Sequence, residues 1–235
     1  MKEFLLYVRF AFDYALKNKT LSHIKQYRRW YRDKKSGDTT LTRCLPWMTY
    51  DALDFLSEIC TPEMNVFEWG SGGSTLFFAS KCKRVTSIEH DSAWSGFLKE
   101  KLEELRLLNV DYNEIRGERI EDFSQKDYRN PDDFVSKDMN SAGLSFEKYV
   151  KAIDAYPEEC FDIVVVDGRA RNCCVKRGIP HLKKGGYLVV DNTDRNYYLA
   201  PFPELQDALK WQKTEHQGPI FFQHAFSKTS FFRKR

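Results

Sequence analysis

Two short apolar runs constrain this chain most. Ile163-Val164-Val165-Val166 and Tyr187-Leu188-Val189-Val190 are nearly continuous, and each is followed by an aspartate, Asp167 and Asp191. A strand with one wet face alternates apolar and polar residues, whereas a strand covered on both faces does not. The runs therefore predict central strands of a parallel sheet flanked by helices. Upstream, Val66-Phe67-Glu68 and Val85-Thr86-Ser87-Ile88 read as strands, and a third strand is expected near 110–115. Helices are expected around 49–59, from Ser74, and after a cap at Asp91 or Ser92. Ile220-Phe221-Phe222 and Ser230-Phe231-Phe232 read as a closing hairpin. The expected fold is α/β: a doubly wound, Rossmann-like, mostly parallel sheet with a C-terminal antiparallel hairpin and an N-terminal helical extension.

Composition narrows the setting. With 42% hydrophobic and 30% charged residues, the 235-residue chain can bury a sizeable core. No apolar run approaches the ~20 residues that span a bilayer. The N-terminal apolar stretch is broken by Arg9 and Asp13 and has no small-residue cleavage site, so no secretory leader is expected. Six cysteines without a C-x-x-C pair argue against zinc and suggest reduced thiols in a cytoplasmic protein. Charge is uneven: residues 1–43 carry eleven Lys/Arg against four acids. Such an arm is either a solvated helical face or a contact for a phosphate-bearing partner or an anionic membrane.

The first strand runs into Glu68-Trp69-Gly70-Ser71-Gly72-Gly73-Ser74-Thr75. The glycines permit a tight strand-to-helix turn and close approach of a ligand to main chain. A dinucleotide fingerprint would place glycine at position 75, which is threonine. The second strand ends in Glu89-His90-Asp91, with Glu89 19 residues after Gly70, close to the spacing of a ribose-binding acid. Asp91 reads as a helix cap, and His90 as either an adenine neighbour or a surface histidine.

Glu68-x-Gly70-x-Gly72 resembles the motif of class I S-adenosylmethionine-dependent methyltransferases. That resemblance implies a cofactor site at Glu68, Trp69, Gly70, Ser71, Gly72, Ser74, Thr75, Glu89, His90 and Asp167. It also implies two segments: a basic helical extension over 1–43 and the methyltransferase domain over 44–235. Asp167, Asp191 and Asn192 are similar to the Asp…Asp-Asn set of catechol O-methyltransferase and metal-dependent sugar O-methyltransferases, and oxygen ligands of this kind suit Mg²⁺. Together with Val-Asp-Gly-Arg-x-Arg and Asp-Asn-x-Asp-Arg, the motifs resemble small methyltransferases of glycan and capsule-type biosynthesis. The implied reaction is methylation of a hydroxyl on a sugar, nucleotide-sugar or glycan end. Asp167 and Arg169 are the expected catalytic residues, with Mg²⁺ an optional aid. Arg169, Arg171 and Arg195 either grip an anionic acceptor or pair with nearby acids.

Two other readings stay open. A nucleic-acid methyltransferase would suit the basic arm, but the Asp-Pro-Pro-aromatic type of motif is replaced by Asp167-Gly168-Arg169-Ala170. A non-catalytic cofactor-binding module could dock a glycosyltransferase or a membrane through the arm. The stretch 117–146 is irregular and acidic, and is expected to be a lid on the acceptor side.

Overall fold

The computed structural model describes residues 2–18, 26–221 and 226–235. Its main sheet has the order β3-β2-β1-β6-β7-β9-β8. These strands are β1 Asn65–Trp69, β2 Arg84–Glu89, β3 Val110–Glu114, β6 Phe161–Val166, β7 Leu182–Val190, β8 Trp211–Pro219 and β9 Phe226–Lys234. The two remaining strands, β4 Glu118–Arg119 and β5 Leu144–Ser145, form a separate antiparallel pair. The helices are α1 Lys2–Asn18, α2 Tyr27–Lys35, α3 Thr40–Arg43, α4 Tyr50–Ile59, α5 Gly73–Lys81, α6 Ser92–Glu104, α7 Glu147–Lys151 and α8 Arg171–His181. β3, β2, β1, β6 and β7 run parallel, and β9 and β8 are antiparallel additions. This is the expected Rossmann-like sheet.

The unbroken apolar runs have a direct cause. Successive side chains of a strand face opposite ways. Val164 and Val166 of β6 join the core beneath α7 and α8, whereas Ile163 and Val165 join the core beneath α1, α2, α4 and α5. Both faces of β6 are dry, so both residue sets must be apolar.

Local details depart from expectation. The first arm of the hairpin is β8, which ends at Pro219; Ile220 follows it, bridging Thr49. Phe222 lies outside the described residues. α6 stops at Glu104, leaving Leu105 and Leu108 exposed. Asn109 donates from Nδ2 to the carbonyls of Ala79 and Cys82, closing the end of α5. The stretch 117–146 is pinned to the body, because Asn172 Nδ2 donates to the Tyr128 carbonyl and Val135 is buried.

The segment before residue 44 packs against the body. Tyr7, Ala11 and Trp30 belong to the same core cluster as Met48, Leu53 and Phe77. Asp33 is buried and accepts a hydrogen bond from the Tyr50 hydroxyl at 3.1 Å. α3 begins in a capping box between Thr39 and Thr42.

Candidate active site

Strand order reverses between β1 and β6: β1 passes through α5 to β2 on one side, while β6 lies on the other. At such a switch point the connections diverge and leave a crevice beyond the C-terminal strand ends. A cleft of about 950 Å³ opens there, lined by Gly70, Gly72, Glu89, Asp167, Asp191 and their neighbours. A second cavity of about 750 Å³ lies at the opposite pole, at Asn65, Arg84, Val110 and Phe161, the first residues of β1, β2, β3 and β6. We assign the site to the first cleft, where the chemically distinctive residues converge.

One wall is the glycine turn. Gly70 has φ +96°, and a Cβ there would lie 2.8 Å from the Asp167 carbonyl, so glycine is required on both counts. Glu89 Oε2 accepts from the Ser71 amide at 2.9 Å. Glu89 Oε1 accepts from the amides of His90 and Asp91 at 2.8 and 2.7 Å. Three amides thus fix the carboxylate and leave Oε2 with capacity for one further donor. His90 Nε2 accepts from Arg169 Nε at 2.9 Å, and Arg169 Nη1 pairs with Asp138 of the 117–146 stretch at 2.7 Å.

Glu68 has a different position from the one its motif suggested. It is fully buried under the turn and is not among the residues lining the cleft. Its Oε1 accepts from the hydroxyls of Thr75 and Ser87, while the Thr75 hydroxyl oxygen accepts from the Gly72 amide. Burial pushes its carboxyl up to about 7, against the lowering effect of hydroxyl donors. Trp69 is also core: its Nε1 donates to the Tyr149 carbonyl. Glu68, Trp69 and Thr75 support the turn, whereas Gly70, Ser71, Gly72, Ser74, Glu89, His90 and Asp167 line the cleft.

The lining continues at the ends of the neighbouring strands β6 and β7. The pairing Val166↔Val190 brings Asp167 and Asp191 side by side, as expected. Between them lies a guanidinium. Arg171 Nη2 contacts Asp167 Oδ1 at 2.9 Å, and Nη1 lies 4.0 Å from Asp191 Oδ2. The same side chain donates to the main-chain carbonyls of Gly168, Asp191 and Asp167, so its donors are engaged inside the protein. Asn192 Nδ2 donates to Asp191 Oδ2 at 2.6 Å and to Ser227 Oγ at 3.0 Å, and Asp191 Oδ1 accepts from the Thr229 hydroxyl at 2.6 Å.

This donor set does not fit the expected Mg²⁺ site at Asp167, Asp191 and Asn192. A permanent cation already sits between the two carboxylates, and a divalent ion beside it would meet like charge at short range. Among the described residues no cluster of three or more His, Cys, Asp or Glu side chains is arranged to hold a metal. Arg171 is likewise engaged in holding these acids and not extended toward an acceptor. Arg195 does line the cleft, exposed, with Nη1 donating to the Tyr198 hydroxyl. Burial raises the Asp167 carboxyl, and the Arg171 charge opposes that rise.

Several lining residues had not been singled out. Trp94, on the first turn of α6, donates from Nε1 to the Ser71 carbonyl at 2.8 Å and flanks Gly72. Asp38, Thr39, Thr40 and Trp47 bring the N-terminal segment to the cleft. A Cβ on Gly73 would lie 2.2 Å from the Leu45 carbonyl and 2.4 Å from the Thr40 carbonyl, so this glycine is what admits that segment. The third glycine of the turn was the available signal, but it named no partner.

No family model and no curated protein matches the sequence. Solved structures do share its fold. An O-methyltransferase from Bacillus cereus in complex with SAH aligns with a TM-score of 0.57 at 14% identity, covering 84% of this chain and 91% of that one. A proposed O-methyltransferase from Klebsiella pneumoniae gives 0.58 at 14% identity, covering 88% and 98%. The precorrin 8w decarboxylase of Methanobacterium thermoautotrophicum gives 0.51 at 15% identity, covering 81% and 93%. The chain shares the Rossmann-like fold of these structures. As the decarboxylase illustrates, the fold alone does not name a reaction.

Proposed function

We propose that the protein is an S-adenosylmethionine-dependent O-methyltransferase acting on a hydroxyl of a sugar, nucleotide-sugar or glycan end. The observation that carries this reading is that one cleft is lined both by Glu89 beside the bare glycine turn and by Asp167 at the neighbouring strand end. Structures of the same fold bound to SAH support the donor half of the reading.

S-adenosylmethionine supplies an electrophilic methyl carbon on a sulfonium. Glu89 Oε2 accepts a ribose hydroxyl proton, and Gly70 and Gly72 leave room beside the main chain for the rest of the donor. Asp167 would take the proton of the acceptor hydroxyl as the hydroxyl oxygen is methylated, and S-adenosylmethionine, held beside Glu89, would supply the methyl group and leave as SAH. Arg171 holds the Asp167 carboxylate in place. The protein's contribution is then alignment of the two reactants plus proton removal. No step uses Mg²⁺ at Asp167 and Asp191, because Arg171 occupies that role. Arg169, linked to His90 and Asp138, is assigned to positioning the donor side rather than to proton transfer.

The acceptor class is read from the far side of the cleft. Trp47, Asp38, Thr40, Asp194 and Arg195 offer one aromatic face among short polar and charged groups. A sugar ring has an apolar face and a rim of hydroxyls, which suits that mixture. Trp47 is exposed, with its Nε1 tied to the Phe221 carbonyl at 2.9 Å. Calorimetric titration with SAH should show one site per chain, weakened roughly tenfold or more in Glu89→Ala by loss of a charge-assisted hydrogen bond. Binding of NAD in its place, or no binding of SAH, refutes the donor assignment.

A further inference from the structure

The outer face of α1 is unexplained by the cleft. Helical spacing puts Tyr7, Ala11 and Tyr14 on one side. Tyr7 and Tyr14 meet Phe226 at centroid distances of 5.5 and 5.2 Å. Leu5, Phe12 and Leu16 lie on the opposite side, with 60%, 62% and 66% of their surface exposed. Phe4 and Val8 are exposed as well, so the uncovered apolar surface spans a wide arc of the helix. A helix that only covered a sheet would carry polar residues there.

Exposed cations lie on both α1 and α2, beside the exposed acid Asp13 of α1. Arg9 lies next to the Leu5–Phe12–Leu16 line, and α2 exposes Arg28, Arg32 and Lys35 at helical spacing. Residues 1–43 hold eleven Lys/Arg and four Asp/Glu, a balance of 11 − 4 = +7. We infer that α1 and the outer face of α2 dock the protein on an anionic lipid surface. α1 would lie in the plane of the interface, with Leu5, Phe12 and Leu16 at the acyl boundary and the basic groups among headgroups.

Two features favour lipid over protein. A second copy would bring one strongly basic segment against another. A coiled-coil partner needs a narrow heptad seam, and the apolar arc of α1 is broad. Phe226, packed by α1, also lines the cleft, so docking would hold that rim of the cleft near the surface.

The test uses the full chain sedimented with phosphatidylcholine vesicles, with and without phosphatidylglycerol. Association is expected only with the anionic vesicles, and it should weaken about tenfold or more at high salt. Leu5→Ser/Phe12→Ser/Leu16→Ser should weaken it similarly, while SAH affinity stays at the parent value. Should that variant misfold, Arg28→Gln/Arg32→Gln/Lys35→Gln addresses the electrostatic half and should lose the preference for anionic vesicles. Failure of the parent to bind either vesicle overturns the inference. So does a folded apolar variant that binds as the parent does, or light scattering that shows a parent dimer split by the apolar substitutions.

Discussion

The two walls of the cleft are built in opposite ways. The wall we assign to the methyl donor is mostly main chain: within residues 70–91, amides of Ser71, His90 and Asp91 converge on a single carboxylate, Glu89. The wall we assign to the acceptor is made of side chains, where Arg171 joins Asp167 to Asp191 and Trp47 comes from before the first strand. A main-chain site is encoded by where glycines and one acid fall in a short stretch. A side-chain site depends on which strands become neighbours.

Substitutions can break this contrast. The greatest effect is expected for Asp167→Ala, which should lower methyl transfer by about 10²–10⁴-fold while SAH affinity stays within a few-fold. Single-turnover rates beside calorimetry would show it, and equal losses of both would mean the walls are not separable. Because burial raises the Asp167 carboxyl and only its ionised form accepts a proton, the parent's rate should climb with pH beyond the usual carboxylate range and then level.

Arg171→Met removes the cation between two acids, and denaturant unfolding should register a loss of about 3–5 kcal/mol. The same change should sharpen the metal question. Mg²⁺ should raise the melting temperature of the variant and leave that of the parent alone; a parent that responds as strongly would show that Arg171 does not fill the position.

Glu68→Gln probes the support of the donor wall. The Glu68 carboxyl is raised from 4.5 to about 7, so the folded state binds its proton more tightly than the unfolded chain. That contribution is fully present below pH 4.5 and is lost as pH rises through about 7, on the order of 3 kcal/mol across the window. The glutamine variant should flatten the stability profile between those limits, as thermal melts across the range would reveal. A smaller loss, about 1–3 kcal/mol, is expected for Gly70→Ala from its positive φ and its contact with the Asp167 carbonyl. The smallest effect belongs to Asp138→Asn: its partly exposed ion pair with Arg169 should be worth less than about 1 kcal/mol of stability.

Sheet and helices were readable because their signals are local. The runs at 163–166 and 187–190 had to be doubly covered, and Gly70 with Glu89 had to sit at neighbouring strand ends. Tertiary context changed what some of those residues do. Glu68 matched a ligand-binding motif yet lies under the turn, because its position in β1 directs it into the body, where Thr75 and Ser87 meet it. Asp167, Asp191 and Asn192 resembled a metal set, and nothing in their spacing disclosed that a side chain from the next helix would lie between them.

Residues 1–43 show the limit most plainly. Their charge marked them as distinct, but charge describes the wet face of a helix and says little about the dry one. Tyr7 meets Phe226 near the far end of the chain, Trp30 joins the same core cluster, and Asp33 is held by Tyr50. What periodicity and glycine placement determined was the sheet, its helices and the end at which the larger cleft opens. Which charges neutralise one another, and which segment closes the cleft, was decided only by folding, because those depend on distances between atoms that no local pattern specifies.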